Sequence, residues 1–303
     1  KPHVIYGYCE VDSAQKLKIP AGTRIYLNPK ATMWVYRYGQ IQVLGQKGNE
    51  VIFQNVRREQ DYLDRPGEWD RIWINEGSIN NKIDYAIIKN GFIGVQAELF
   101  GNDGSVPHHL QITNTKIQNM SMWGFYGLAF SVTGGNNVIS NCQEHCVNLT
   151  LGGYYEFLQC TFANFWAKET AREKPTINVS NYNDAQEIPM YTYFGNCIID
   201  GKMSNELNID LKTALTPTLI FSNSWIKTNS DVTDANRFVN IRKDNTSLNY
   251  KDPTTYDFRT DNENRHKGFV HADASADAAL FPKDIEGTTR NTASVTAGAY
   301  ESQ

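Results

Sequence analysis

The chain repeats itself at a short period, and that restricts its fold more than any other feature. Six-residue blocks at 114–119, 141–146, 159–164, 196–201 and 223–228 open on an amide and continue with a small residue or cysteine, and all but 141–146 carry an apolar residue at the fourth place; a looser early copy lies at 85–90. Two places before each block stands an apolar residue: Ile112, Ile139, Phe157, Phe194 and Phe221. A unit of this size cannot bury an apolar face alone, but stacked copies share one continuous core. The spacing therefore predicts the coils of a solenoid.

A second strand pattern follows the blocks. Val147-Asn148-Leu149, Ile177-Asn178-Val179, Leu207-Asn208-Ile209 and Val239-Asn240-Ile241 are apolar–Asn–apolar triplets whose asparagines lie 30, 30 and 32 residues apart. Strand side chains alternate between faces, so the aliphatics point inward and the four asparagines form one outward row. Thr150, Ser180, Asp210 and Arg242 follow two places later and share that face.

The expected architecture is all-β, a single-stranded right-handed parallel β-helix with loop insertions. It forms one domain over 1–303, with coils at 4–241 and a closing loop and capping tail at 242–303. Insertions break the period at 98–109, 120–123, 165–176, 182–190 and 229–237. A net charge of −4 with 20% charged residues and no long basic run argues against nucleic acid as a partner. No stretch is apolar for long enough to span a membrane, so any lipid anchor lies outside this sequence. The chain opens on Lys1 without methionine, as a trimmed export signal would leave it. Cys142, Cys160 and Cys197 occupy the small second column and read as stacked interior thiols. Cys142, His145 and Cys146 lack a second ligand pair, so no metal and no cofactor is expected.

Three runs carry a family resemblance: Ile19-Pro-Ala-Gly-Thr-Arg-Ile-Tyr-Leu27, Gln40-Ile-Gln-Val-Leu-Gly45 and Gly67-Glu-Trp-Asp-Arg-Ile-Trp-Ile74. They resemble the opening coils of secreted parallel β-helix proteins of the pectate-lyase-like superfamily, many of them bacterial surface lipoproteins. Ser275-Ala-Asp-Ala-Ala279, Asp284-Ile-Glu-Gly-Thr-Thr-Arg290 and Gly298-Ala-Tyr-Glu301 are similar to their closing segment, with Ala279 and Thr296 where that segment usually has glycine and an acid. The resemblance implies a protein of the periplasm or cell surface. It leaves activity open, because the superfamily holds lyases, hydrolases and adhesins.

Amides and hydroxyls lining a shallow groove suit sugar hydroxyls, which donate and accept. The expected glycan-binding residues are Asn148, Asn178, Ser180, Asn208, Asp210, Asn240 and Arg242. Trp123 and Trp166 wall the groove, since sugar rings stack on exposed indoles. The competing reading is a solvated face whose amides bond one another. Lyases of this fold hold calcium on clustered acids, whereas this face has one carboxylate; the hydrolase motifs Asn-Thr-Asp and Gly-His-Gly do not occur. Loop acids (Asp61, Asp64, Glu68, Asp70, Glu144, Glu156) are what a cleaving enzyme would have to use. Non-catalytic polysaccharide binding is thus the leading expectation, followed by a polysaccharide lyase or glycoside hydrolase, then a structural adhesin.

Overall fold

The computed structural model describes residues 2–99, 108–168, 170–260, 275–291 and 295–301. Its strands fall into three long parallel sheets of ten, eight and nine strands, each built from every third strand of the coil. The protein is a parallel β-helix. The first sheet runs from Pro2–Ile5 to Arg242–Asp244 and the second from Tyr8–Val11 to Leu207–Asp210. The third runs from Lys16–Pro20 to Phe238–Val239.

Inward columns explain why the coils stack. On the third sheet Ile19, Val43, Ile83, Ile112, Gly134, Phe157, Phe194, Phe221 and Phe238 pair in register, one per coil. The last four rings lie nearly parallel, with centroids 5.5, 4.9 and 5.5 Å apart. Gly134 occupies the place the sequence pattern gave to Ile139. A Cβ there would come within 2.6 Å of the Phe157 ring, so glycine makes room for the first phenylalanine of the stack. Ile139 instead points inward from the first sheet, paired with Ile117.

The turn amides sit where the backbone turns left-handed. Between the third and first sheets Tyr85, Asn114, Asn136, Gln159, Asn196, Asn223 and Asn240 all have φ between 47° and 54°. Asparagine tolerates this region better than most residues. Asn136 donates to Asn114 Oδ1 (3.2 Å) and Asn240 to Asn223 Oδ1 (2.7 Å). Asn141 belongs to a different corner, after the first sheet, with Asn90 and Asn119. There Asn119 donates to Asn90, and Asn90 to Asn55, at 2.8 and 2.9 Å. The block at 141–146 is therefore out of register with the others, and the true member of its coil starts at Asn136.

The thiols follow the same division. Cys160 and Cys197 stack on neighbouring coils behind the first corner; Cys142 lies behind the second corner, beside Cys146. All four are fully buried and unbridged.

The described residues of the tail lie along a flank of the helix. Val138, Ala163, Ile198 and Trp225 point outward from the first sheet and would be wet without cover. Phe258, Ile285, Ala299 and Tyr300 pack on the first two, and Ala297 on the others. The closing motif forms one buried knot. Asp284 accepts from the Thr288 and Glu301 amides, and Arg290 pairs with Glu301 at 3.3 Å while donating to Asn136 Oδ1. Arg242–Asp244 is itself a strand of the first sheet, so the coils extend past residue 241. Among the described residues no helix is long and apolar enough to cross a membrane.

Candidate functional site

The outward face of the second sheet carries the asparagine row. Asn148, Asn178 and Asn208 pair in register on successive coils, and each amide donates to the one before it, at 2.8 Å in both cases. Exposure rises along the row: Asn148 is 5% exposed, Asn178 half-buried and Asn208 open. Ser180 pairs with Asp210 beside them, and Asp210 accepts from the Tyr182 hydroxyl at 2.7 Å.

Asn240 and Arg242 do not belong to this face. After the first-sheet strand Trp225–Lys227 the chain passes through 228–237 without adding a second-sheet strand. The next strand, Phe238–Val239, is already third-sheet, which puts Asn240 in a corner and Arg242 on the first sheet. The row of asparagines thus spans two coil spacings, about 10 Å, rather than three.

Trp123 and Trp166 part company. Trp123 is half-buried, opens the strand Trp123–Leu128, donates to Glu144 Oε2 at 2.8 Å and lies 4.4 Å from the Tyr126 ring. Trp166 is 5% exposed and donates to the Thr170 carbonyl, so it offers no stacking face.

The row continues beyond the asparagines, towards the start of the chain. Asn148 pairs with Tyr126, Tyr126 with Gln96, Gln96 with Trp73, Trp73 with Trp34 and Trp34 with Glu10. Eight coils therefore present only aromatic, amide or acidic side chains along one line. Each aromatic or amide sits between apolar neighbours in the same triplet pattern, as in Ile72-Trp73-Ile74 and Val95-Gln96-Ala97. That signal was available, but it is visible only when the middle residue is left free to vary.

This half is a bonded network. Trp34 and Trp73 stack at 5.3 Å, and Trp34 Nε1 donates to Asn75 Oδ1 at 2.7 Å. Arg71 donates to Asp70 Oδ1 at 2.9 Å and to Gln96 Oε1; Gln96 donates in turn to Glu98. Thr32 donates to the other Asp70 oxygen at 2.8 Å. Burial raises the Tyr126 hydroxyl pKa above its ordinary value, and that hydroxyl accepts from Thr150 at 3.3 Å. Trp73 Nε1 is the exception: it is buried and has no acceptor among the described residues.

The remaining acids are dispersed. Asp64 holds Lys168 at 2.5 Å and the Tyr256 hydroxyl at 2.6 Å, while Glu156 accepts from Tyr154. His109 bonds Thr133 and His145 bonds the Pro175 carbonyl. Among the described residues no group of three or more His, Cys, Asp or Glu side chains is placed to hold a metal ion.

Comparison with known proteins yields no match: no family model, no curated protein and no solved structure is significantly similar to the chain.

Proposed function

We propose that the protein is an exported bacterial protein of the periplasm or cell surface that binds a polysaccharide without cleaving it, along the outer face of the second sheet. One observation carries this reading: the unbroken outward row from Glu10 to Asn208, with its aromatics towards one end and its asparagines at the other. Sugar rings are met by aromatic side chains and their hydroxyls by amides and acids that can donate or accept. Asp70 and Glu98 are each held by neighbouring donors, which favours recognition over proton transfer. The likeness of the opening and closing runs to pectate-lyase-like surface proteins supports the same compartment and ligand class.

A glycan array read alongside reducing-sugar and unsaturated-product assays tests the proposal. Retention of at least one polysaccharide without product release is expected. Release of unsaturated or reducing ends would replace it with a lyase or hydrolase.

A further inference from the structure

A second polar cluster lies on a different face. On the outside of the first sheet Tyr26 pairs with Gln54, and Lys89 pairs with Gln118. Ile87 pairs with Ile52, so Lys89 and Gln54 hold adjacent places in that outward row. The loop leaving the sheet after Val51–Asn55 folds back across it. Arg58 Nη1 donates to Gln54 Oε1 at 2.7 Å, and its guanidinium lies 6.0 Å from the Tyr26 ring centroid.

Two cations therefore share one patch, Lys89 half-buried and Arg58 exposed. The other cations around it have carboxylate partners: Arg57 with Glu59 at 3.7 Å, Arg65 with Glu68 at 3.3 Å and Lys168 with Asp64 at 2.5 Å. Arg58 and Lys89 have none among the described residues. Asp64 is the acid whose field reaches Lys89, but Lys168, the Tyr256 hydroxyl and the Asn119 amide already engage its oxygens. Burial first, and Arg58 second, hold the Lys89 ammonium below its ordinary pKa. Desolvating one cation beside another is unfavourable, and an anion placed between them relieves both costs.

We infer that Arg58 and Lys89, with Tyr26 and Gln118 at the rim, form a site for a compact oxyanion: a sulfate, phosphate or carboxylate, free or carried on a sugar. A guanidinium presents a planar fork to two such oxygens, and an ammonium adds a point charge at a third. The site stands apart from the second-sheet row and does not rest on glycan binding there.

Calorimetric titration at fixed ionic strength tests it, using inorganic sulfate, then a sulfated disaccharide and its unsulfated parent. Saturable sulfate binding is expected in the wild type, weakened at least tenfold in the double variant Arg58→Met/Lys89→Met. The double variant also strands the buried Gln54 acceptor and should melt somewhat lower. Lys89→Met alone breaks no hydrogen bond among the described residues, should melt no lower than the wild type in chloride and should still bind sulfate more weakly, which separates lost binding from lost folding. Tighter binding of the sulfated than of the unsulfated sugar assigns the anion to a glycan, while binding of inorganic sulfate alone assigns it to a free ion. NMR should show the Lys89 ammonium titrating at higher pH once sulfate is present. Absence of saturable binding by both sulfate and the sulfated sugar, or equal binding by the double variant, overturns the inference.

Discussion

Replacing Asn178 with alanine separates the structural from the ligand-facing work of the second-sheet amides. Asn178 is the middle rung: it donates to Asn148 and accepts from Asn208, both at 2.8 Å. Its removal leaves Asn148 Oδ1, on a residue only 5% exposed, without that donor. Stranding a buried acceptor costs about 1–3 kcal/mol. On the other side Asn208 is exposed, and water replaces its lost acceptor at a cost of about 0.5 kcal/mol or less. Asn178→Ala should therefore destabilise by about 1–3 kcal/mol. Asn208→Ala deprives only a half-buried neighbour and should stay within about 0.5 kcal/mol of wild type. Urea unfolding followed by circular dichroism reads both midpoints, and an unchanged slope shows that the unfolded state has not changed. Equal costs for the two variants would refute the reasoning, since the argument depends on burial falling from Asn148 to Asn208.

Further outcomes follow from other parts of the molecule. Phe194 has a stacked ring on either side, so Phe194→Ala should cost about 4–5 kcal/mol, the upper end for buried aromatics. Phe238→Ala, at the end of the stack, should cost measurably less by the same urea assay. Burial pushes the Asp200 carboxyl up to about 6 despite donation from Leu248 and Tyr250 of the tail. An acid raised in the folded state penalises folding above that pKa, so stability should rise as pH falls from about 6 towards 4, by at most about 3 kcal/mol from this group. Asp200→Asn should flatten that part of the wild-type pH profile, and parallel profiles would contradict the assignment. Of the five cysteines only Cys9 is less than fully buried, so native alkylation should label one thiol and denatured alkylation five.

Much of the fold was legible because solenoid contacts join equivalent positions of neighbouring coils. The inward phenylalanines, the recurring amide that opens each block and the register of 147–149, 177–179 and 207–209 could all be read from columns. Errors arose where two columns look alike. Asn141 and Asn136 are both amides at left-handed turns five residues apart, and only strand pairing shows which corner each occupies. Asn240 kept nearly the right spacing because residues 228–237 took the length of a missing strand. The aromatic half of the row does not show in asparagine spacing alone, although Trp34, Trp73 and Tyr126 stand in the same triplets. The flank position of the tail was not legible at all: Arg290 meets Asn136 across 154 residues, a pairing no local pattern records.

Affinity measurement on the outward row tests the central claim most directly. Trp73→Ala/Tyr126→Ala removes an aromatic on either side of Gln96 while leaving the inward core columns intact. Titration of the best-retained polysaccharide should show affinity weakened tenfold or more, about 1.4 kcal/mol; loss of the Trp34–Trp73 stack lowers the unfolding midpoint too, so affinity is read where circular dichroism shows the variant folded. Unchanged polysaccharide affinity in a folded double variant would contradict the account and move the binding surface away from the second sheet.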